Sequence, residues 1–206
     1  MPTLFSMFSL LTMLLASTVQ FAPEPEPLLT VALLGPAPVL ASADKPGFSY
    51  TYIEGNYVRL DSDTADDNLD GFELTGSLEL PLNFFAQLTG STLSGDADLE
   101  QYRLGAGWHF ALGDTLDAYG ILSFVDQDFH DGVSDESGLT ADAGVRLMVT
   151  PKVEVQGFAE WADVDGSEVG IGGGARYYLT QRLSLGLQGL FIDSGDKLTA
   201  GARFQF

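Results

Sequence analysis

The sequence predicts an all-β fold: a closed, antiparallel, up-and-down barrel that crosses a membrane with its strands. Three observations predict it. From Phe48 onward the chain runs in segments of about ten residues whose polarity alternates with a period of two, the length and period of membrane-spanning strands. The connections between these segments alternate strictly between short turns and longer, acidic loops. Charged residues fall on the face opposite the apolar one, which a wet lumen requires and a dry β-core forbids.

The N-terminus stands apart from this pattern. Residues 1–43 hold two apolar stretches, Leu4 to Phe21 and Leu28 to Leu40, separated by a Pro/Glu run. Ala41-Ser42-Ala43 ends the second with the small-x-small pattern of a signal-peptidase site. The expected organisation is therefore a targeting segment over 1–43 and a barrel domain over 44–206. Leaders ordinarily open with positive charge, and the first basic residue here is Lys45, which points to an initiator downstream of Met1. A membrane helix over Leu4 to Phe21, barely long enough to span, is the competing reading.

The strands follow in order over 48–60, 71–80, 84–93, 100–110, 115–126, 138–149, 153–163, 168–179, 183–193 and 197–206. Alternation is clearest at the end of the chain. Leu198, Ala200, Ala202, Phe204 and Phe206 share one face, and Thr199, Gly201, Arg203 and Gln205 the other. The sixth and seventh segments repeat this, with Val145 and Leu147 against Arg146, and Val153 and Val155 against Glu154. Ten is an even number, so both termini lie at one end and the last strand can pair with the first. Eight strands is the alternative, if two segments merge into loops.

Short turns fall at 81–83, 111–114, 150–152 and 180–182, and the longer set at 61–70, 94–99, 127–137, 164–167 and 194–196. Short turns on one side of a membrane and long loops on the other are the layout of bacterial barrels. Aromatic residues gather at both strand ends. Tyr50, Tyr52, Phe84, Trp108, Phe110, Tyr177, Phe204 and Phe206 lie near short turns or termini. Tyr57, Phe72, Tyr102, Phe124, Trp161 and Phe191 lie near long loops. Two such belts match two membrane interfaces. Gly144-Val-Arg146, Gly174-Ala-Arg176 and Gly201-Ala-Arg203 recur at corresponding strand positions, with Gly107-Trp-His109 a degenerate fourth copy.

Composition closes off several functions. Nine Lys+Arg against 29 Asp+Glu, with a net charge of −20, leave no basic footprint for nucleic acid. There is no Cys, so thiolate catalysis, Cys-based zinc sites and disulfides are excluded. No cofactor is indicated.

Two stretches carry a resemblance. Thr199-Ala-Gly201-Ala-Arg-Phe204-Gln-Phe206 is similar to the terminal signal read by the barrel-assembly machinery: polar, x, Gly, x, x, apolar, x, apolar or aromatic. Ser49-Tyr50-Thr-Tyr52-Ile-Glu54-Gly55-Asn-Tyr57 resembles the opening strand of small outer-membrane barrels of the opacity and porin-like type. That resemblance covers roughly residues 44–206. It implies a Gram-negative outer-membrane location, a lipid and lipopolysaccharide environment, and folding by the barrel-assembly machinery and periplasmic chaperones. The expected state is a monomer. No single activity is implied, because the family includes adhesins, narrow channels, structural barrels and a few enzymes.

Candidate sites lie inside the barrel and on its loops. Arg146, Arg176 and Arg203, with His109 beside them, are expected to ring one end of the lumen, with Glu79, Asp117 and Glu154 inward at similar depth. Cross-strand or diagonal Arg–carboxylate pairs follow. Such a ring is either a selectivity filter or a salt-bridged plug, and a narrow barrel favours the plug. Asp61, Asp63, Asp66, Asp67 and Asp70 crowd the first long loop. They offer oxygen ligands for a hard cation but lack the spacing of a known calcium loop, so a solvated surface is the expectation. Asp128-Phe-His130 and Asp61-x-Asp63 are the only hints of a loop-borne hydrolase. The leading expectation is a structural or surface-interaction barrel, followed by a narrow channel and then a hydrolase.

Overall fold

A computed structural model describes residues 48–62, 68–95, 98–129, 136–164, 166–192 and 194–206. The leader assigned to 1–43 lies outside them. Among the described residues the chain forms ten strands: β1 Tyr52–Ser62, β2 Asn68–Glu79, β3 Phe84–Ser94, β4 Leu99–Ala111, β5 Leu116–Phe129, β6 Glu136–Thr150, β7 Val153–Asp163, β8 Ser167–Tyr178, β9 Leu183–Ile192 and β10 Gly195–Gln205. Each pairs antiparallel with its sequence neighbours, and β10 returns to β1, closing the barrel. Closure runs the full length of the seam, from Tyr52 opposite Gln205 to Ser62 opposite Gly195. The eight-strand alternative is thereby set aside.

Alternation decides which way every side chain points. Ile53, Leu74, Leu104, Leu122, Val145, Leu187 and Leu198 stand exposed on the outside, while Glu54, Ser77, Arg146, Glu154, Arg176 and Arg203 are buried within. This is the inverse of a water-soluble protein. A surface so apolar, around an interior so charged, is stable only where the outer solvent is lipid. The barrel is transmembrane.

Several strands extend beyond their predicted ends into the long connections. β1 and β2 narrow the first of these to residues 63–67. Polar pairs carry the ladder past the apolar band: Tyr57 donates to Asp70 at 2.8 Å, and Arg59 bonds Asp61 at 2.9 Å. At the other end the connections are tight. Pro81–Asn83 makes a single helical turn in which Leu82 and Asn83 take positive φ, and Trp108 pins it by donating to the Leu82 carbonyl at 3.2 Å. A register shift between Met148 and Thr150 places one extra residue in β6 before its turn.

Trp108, Phe110, Phe84 and Tyr177 face outward at the short-turn end, as a membrane belt requires. Tyr50 and Tyr52 do not. They are 4% and 6% exposed and point into the lumen, a correction to the expected belt. The reason is parity: Tyr52 shares its strand face with Glu54 and Asn56, which must be wet.

Candidate functional site

Three levels can be followed up the lumen from the short-turn end. The lowest is a floor of rings. Tyr50, just before β1, stacks on His109 with centroids 4.0 Å apart and an interplanar angle of 16°. It packs against Phe85 at 4.6 Å. The Phe85 ring lies directly over Gly107, where a Cβ would overlap it, so glycine is what admits the ring. The Tyr50 carbonyl accepts from Ser77 at 2.7 Å, and its hydroxyl donates to Asp117 at 2.7 Å. His109 stands 3.6 Å from Asp117 and 3.5 Å from Glu79. Glu79 reaches the open rim rather than the depth expected for it, with a half-exposed side chain.

Above the floor lie the arginines. Arg146 makes a two-point pair with Glu154, Nε to Oε1 at 2.9 Å and Nη2 to Oε2 at 3.0 Å, diagonal across the β6–β7 seam. Tyr178 adds a hydroxyl donor to the same carboxylate at 2.6 Å. The guanidinium also faces the rings of Phe48 and Tyr50 at 4.9 and 5.2 Å. Arg176 and Arg203 converge on one carboxylate, Glu54, at 2.8 and 2.6 Å. Arg203 lies over the Tyr52 ring at 3.8 Å. The three arginines named from sequence thus meet carboxylates, but the one that joins two of them, Glu54, was not among the candidates.

The third level was also missed. Arg103 contacts Glu160 at 3.3 Å and Asp142 at 3.8 Å, and Lys197 contacts Glu73 at 3.0 Å, with Asn56 donating to Glu73 at 3.2 Å. Between this level and the arginines a cavity of about 180 Å³ remains, lined by five carboxylates and five basic groups. Beyond it, Val58, Leu93 and Leu99 pack as a buried apolar cluster with Leu60 and Leu69 against it. The lumen therefore has a ring-and-salt-bridge floor, a polar chamber, and apolar packing on the β1–β4 side toward the long-loop end.

Five of the chain's nine basic residues sit inside, each with a carboxylate partner. Of the first-loop aspartates, Asp63, Asp66 and Asp67 lie outside the described residues, while Asp61 and Asp70 are engaged by Arg59 and Tyr57. Among the described residues no group of three or more acidic or His side chains is placed to hold a metal ion. His130 of the hydrolase reading is likewise outside them.

The terminal residues take the places their alternation dictates. Thr199 and Gly201 face inward. A Cβ on Gly201 would run into the Asn56 side chain and the Gly55 carbonyl across the closing seam. Phe204 and Phe206 face outward in edge-on contact, centroids 5.2 Å apart.

This geometry defines a class: a small transmembrane barrel with a charged, internally paired lumen. No family model matches the chain, and no curated protein matches it. Among solved structures it is similar to the NanC porin, at a TM-score of 0.51 and 10% identity, covering 75% of this chain and all of that one. It also aligns with the KdgM porin at a TM-score of 0.45 and 10% identity, over 76% of this chain and 99% of that one. With the outer membrane protein OprG from Pseudomonas aeruginosa the TM-score is 0.43 at 12% identity, over 79% and 99%. At such identities the likeness to the NanC porin is one of fold: a closed, porin-like barrel.

Proposed function

We propose that this protein is a small bacterial outer-membrane barrel whose lumen is held shut by ion pairs and whose role is structural or exerted at its acidic loop end. One observation carries the reading: every basic group in the lumen is matched to a carboxylate, above a floor stacked with Tyr50, His109 and Phe85. A selectivity filter works through charge left free to meet an ion. Here Arg146 is committed at two points to Glu154, and Glu54 is shared by Arg176 and Arg203. Lipid and lipopolysaccharide contact the outside, and the barrel-assembly machinery and periplasmic chaperones deliver the chain as a monomer.

A narrow channel for small solutes or ions is the second reading, favoured by the cavity of about 180 Å³ in mid-lumen. Conductance across a planar lipid bilayer separates the two. The closed reading predicts silence from folded protein. It also predicts that Tyr50→Gly together with Glu154→Ala opens measurable current, by removing a ring from the floor and releasing Arg146 from its partner above it. Discrete steps from the wild-type barrel, with an ion preference altered by Arg176→Glu, would establish the channel instead.

A further inference from the structure

We propose that Phe48, Ser49 and Tyr50 form a lid: a strap across the short-turn mouth of the lumen that swings out on Thr51 and admits solutes to the chamber. This deepens the closed-lumen reading and rests on it. The path of the chain carries the inference. Thr51 still belongs to the wall, where its carbonyl accepts from the Phe206 N–H at 3.1 Å and its hydroxyl from the Glu79 N–H at 3.0 Å. One residue earlier the main chain is inside. Ser77, a buried lumen-facing residue of β2, donates to the Tyr50 carbonyl at 2.7 Å, so the backbone there lies over a side chain that points into the barrel. Ser49 braces the bend through its hydroxyl, which donates to the Thr51 carbonyl at 3.1 Å and accepts from the Thr51 N–H at 3.2 Å.

From that bend the contacts move strand by strand around the barrel. Tyr50 meets Phe85 of β3, His109 of β4 and Asp117 of β5. The ring of Phe48 lies 4.9 Å from the Arg146 guanidinium of β6. In the closed order of ten strands, β6 stands opposite β1. Three residues therefore lead from the wall that carries β1 toward the far one, and Tyr50 itself lines the chamber.

Two observations make the strap a moving part. First, it is outside the ladder: the register of β1 with both β2 and β10 begins at Tyr52. The arginine level above is built on wall residues, which cannot leave without their strands. The strap can leave without breaking one strand pair. Second, the closed position leaves buried polar atoms in want of partners. His109 Nε2 and Asp117 Oδ1, on the two side chains that Tyr50 covers, make no hydrogen bond among the described residues. Water admitted by an open strap would pair both. Ring stacking closes the lid and the unpaired atoms oppose it.

The test uses the chain's lack of Cys. Thr89 lines the chamber, and Thr89→Cys places one thiol there, with Gln101→Cys as the second site should the first variant not fold. The folded, detergent-solubilised barrel is treated with 2-(trimethylammonium)ethyl methanethiosulfonate, a water-soluble thiol reagent, and labelling is followed by mass. Slow labelling is expected behind the intact strap. Tyr50→Phe, which removes only the hydroxyl bond to Asp117, should speed it about tenfold, the scale of one hydrogen bond to a charged group. Tyr50→Gly with Phe48→Gly should speed it further. Circular dichroism and compact migration on unheated gels confirm that each variant is a barrel. Labelling at one rate in all three backgrounds, or none in any, would overturn the lid. Current steps from the wild-type barrel in a bilayer would overturn the closed reading instead, so the two failures are told apart.

Discussion

Glu54 is the residue on which the lumen turns. Its carboxylate accepts from Arg176 on one side and Arg203 on the other, 122 and 149 residues away in the chain. Replacing it with Gln leaves two guanidinium groups without their anion, in a site where all three side chains are largely buried. Removing a charged hydrogen-bond partner costs roughly 1–3 kcal/mol. Glu54→Gln should therefore lower the urea midpoint of the refolded barrel by about that much, followed by the fluorescence of Trp108 and Trp161. Asp196→Asn on the exposed rim should stay within about 0.5 kcal/mol of wild type. Equal effects from the two variants would show that the lumen pairs do not matter to stability. The sequence made the arginines legible because Gly-x-Arg recurs at matching strand positions. Glu54 is hidden in the opening strand, where Tyr50 and Tyr52 read in sequence as members of a membrane belt. Applying strict parity to Tyr52, Glu54 and Asn56 places all three inside. The partnership with Arg176 needs the closed barrel and is not written in any local spacing.

Among the elements, β10 carries the most consequence, because it closes the barrel against β1 over its whole length. Gly201 is small for a reason: Asn56 and the backbone at Gly55 occupy the space a side chain would need. Gly201→Val should reduce the yield of assembled barrel, read as the fraction that migrates compactly without heating. Phe206→Asp should do the same by placing a charge on the lipid face at the terminus, where Phe206 is 68% exposed. Wild-type yield from both variants would remove β10 as the closing element and the terminal signal with it. The strands themselves were readable to within a few residues, since a period of two and the short turns bound them tightly. Their outer ends were not. There the apolar alternation stops while the hydrogen-bond ladder goes on, carried by pairs such as Tyr57–Asp70 that look like loop residues in sequence.

On the scale of the whole molecule, the chain answers two solvents at once. Lipid is met by Leu, Val, Ile and aromatic side chains, and the chamber inside is charged but balanced, with five carboxylates and five basic groups around it. The overall architecture was legible because alternation and loop asymmetry are both one-dimensional signals. The chamber was not, because Arg103, Asp142, Glu160, Glu73 and Lys197 come from five strands and meet only on closure. The central claim is the inversion itself, with lipid outside and wet ion pairs inside. The chain has no Cys, so single cysteines can be introduced and spin-labelled one at a time along β9. In liposomes, labels at Leu185, Leu187 and Phe191 should be reached by dissolved oxygen from the lipid phase. Labels at Ser184, Gly186 and Gln188 should be shielded from it, giving a period of two along the strand. An unbroken or inverted profile would contradict the transmembrane barrel.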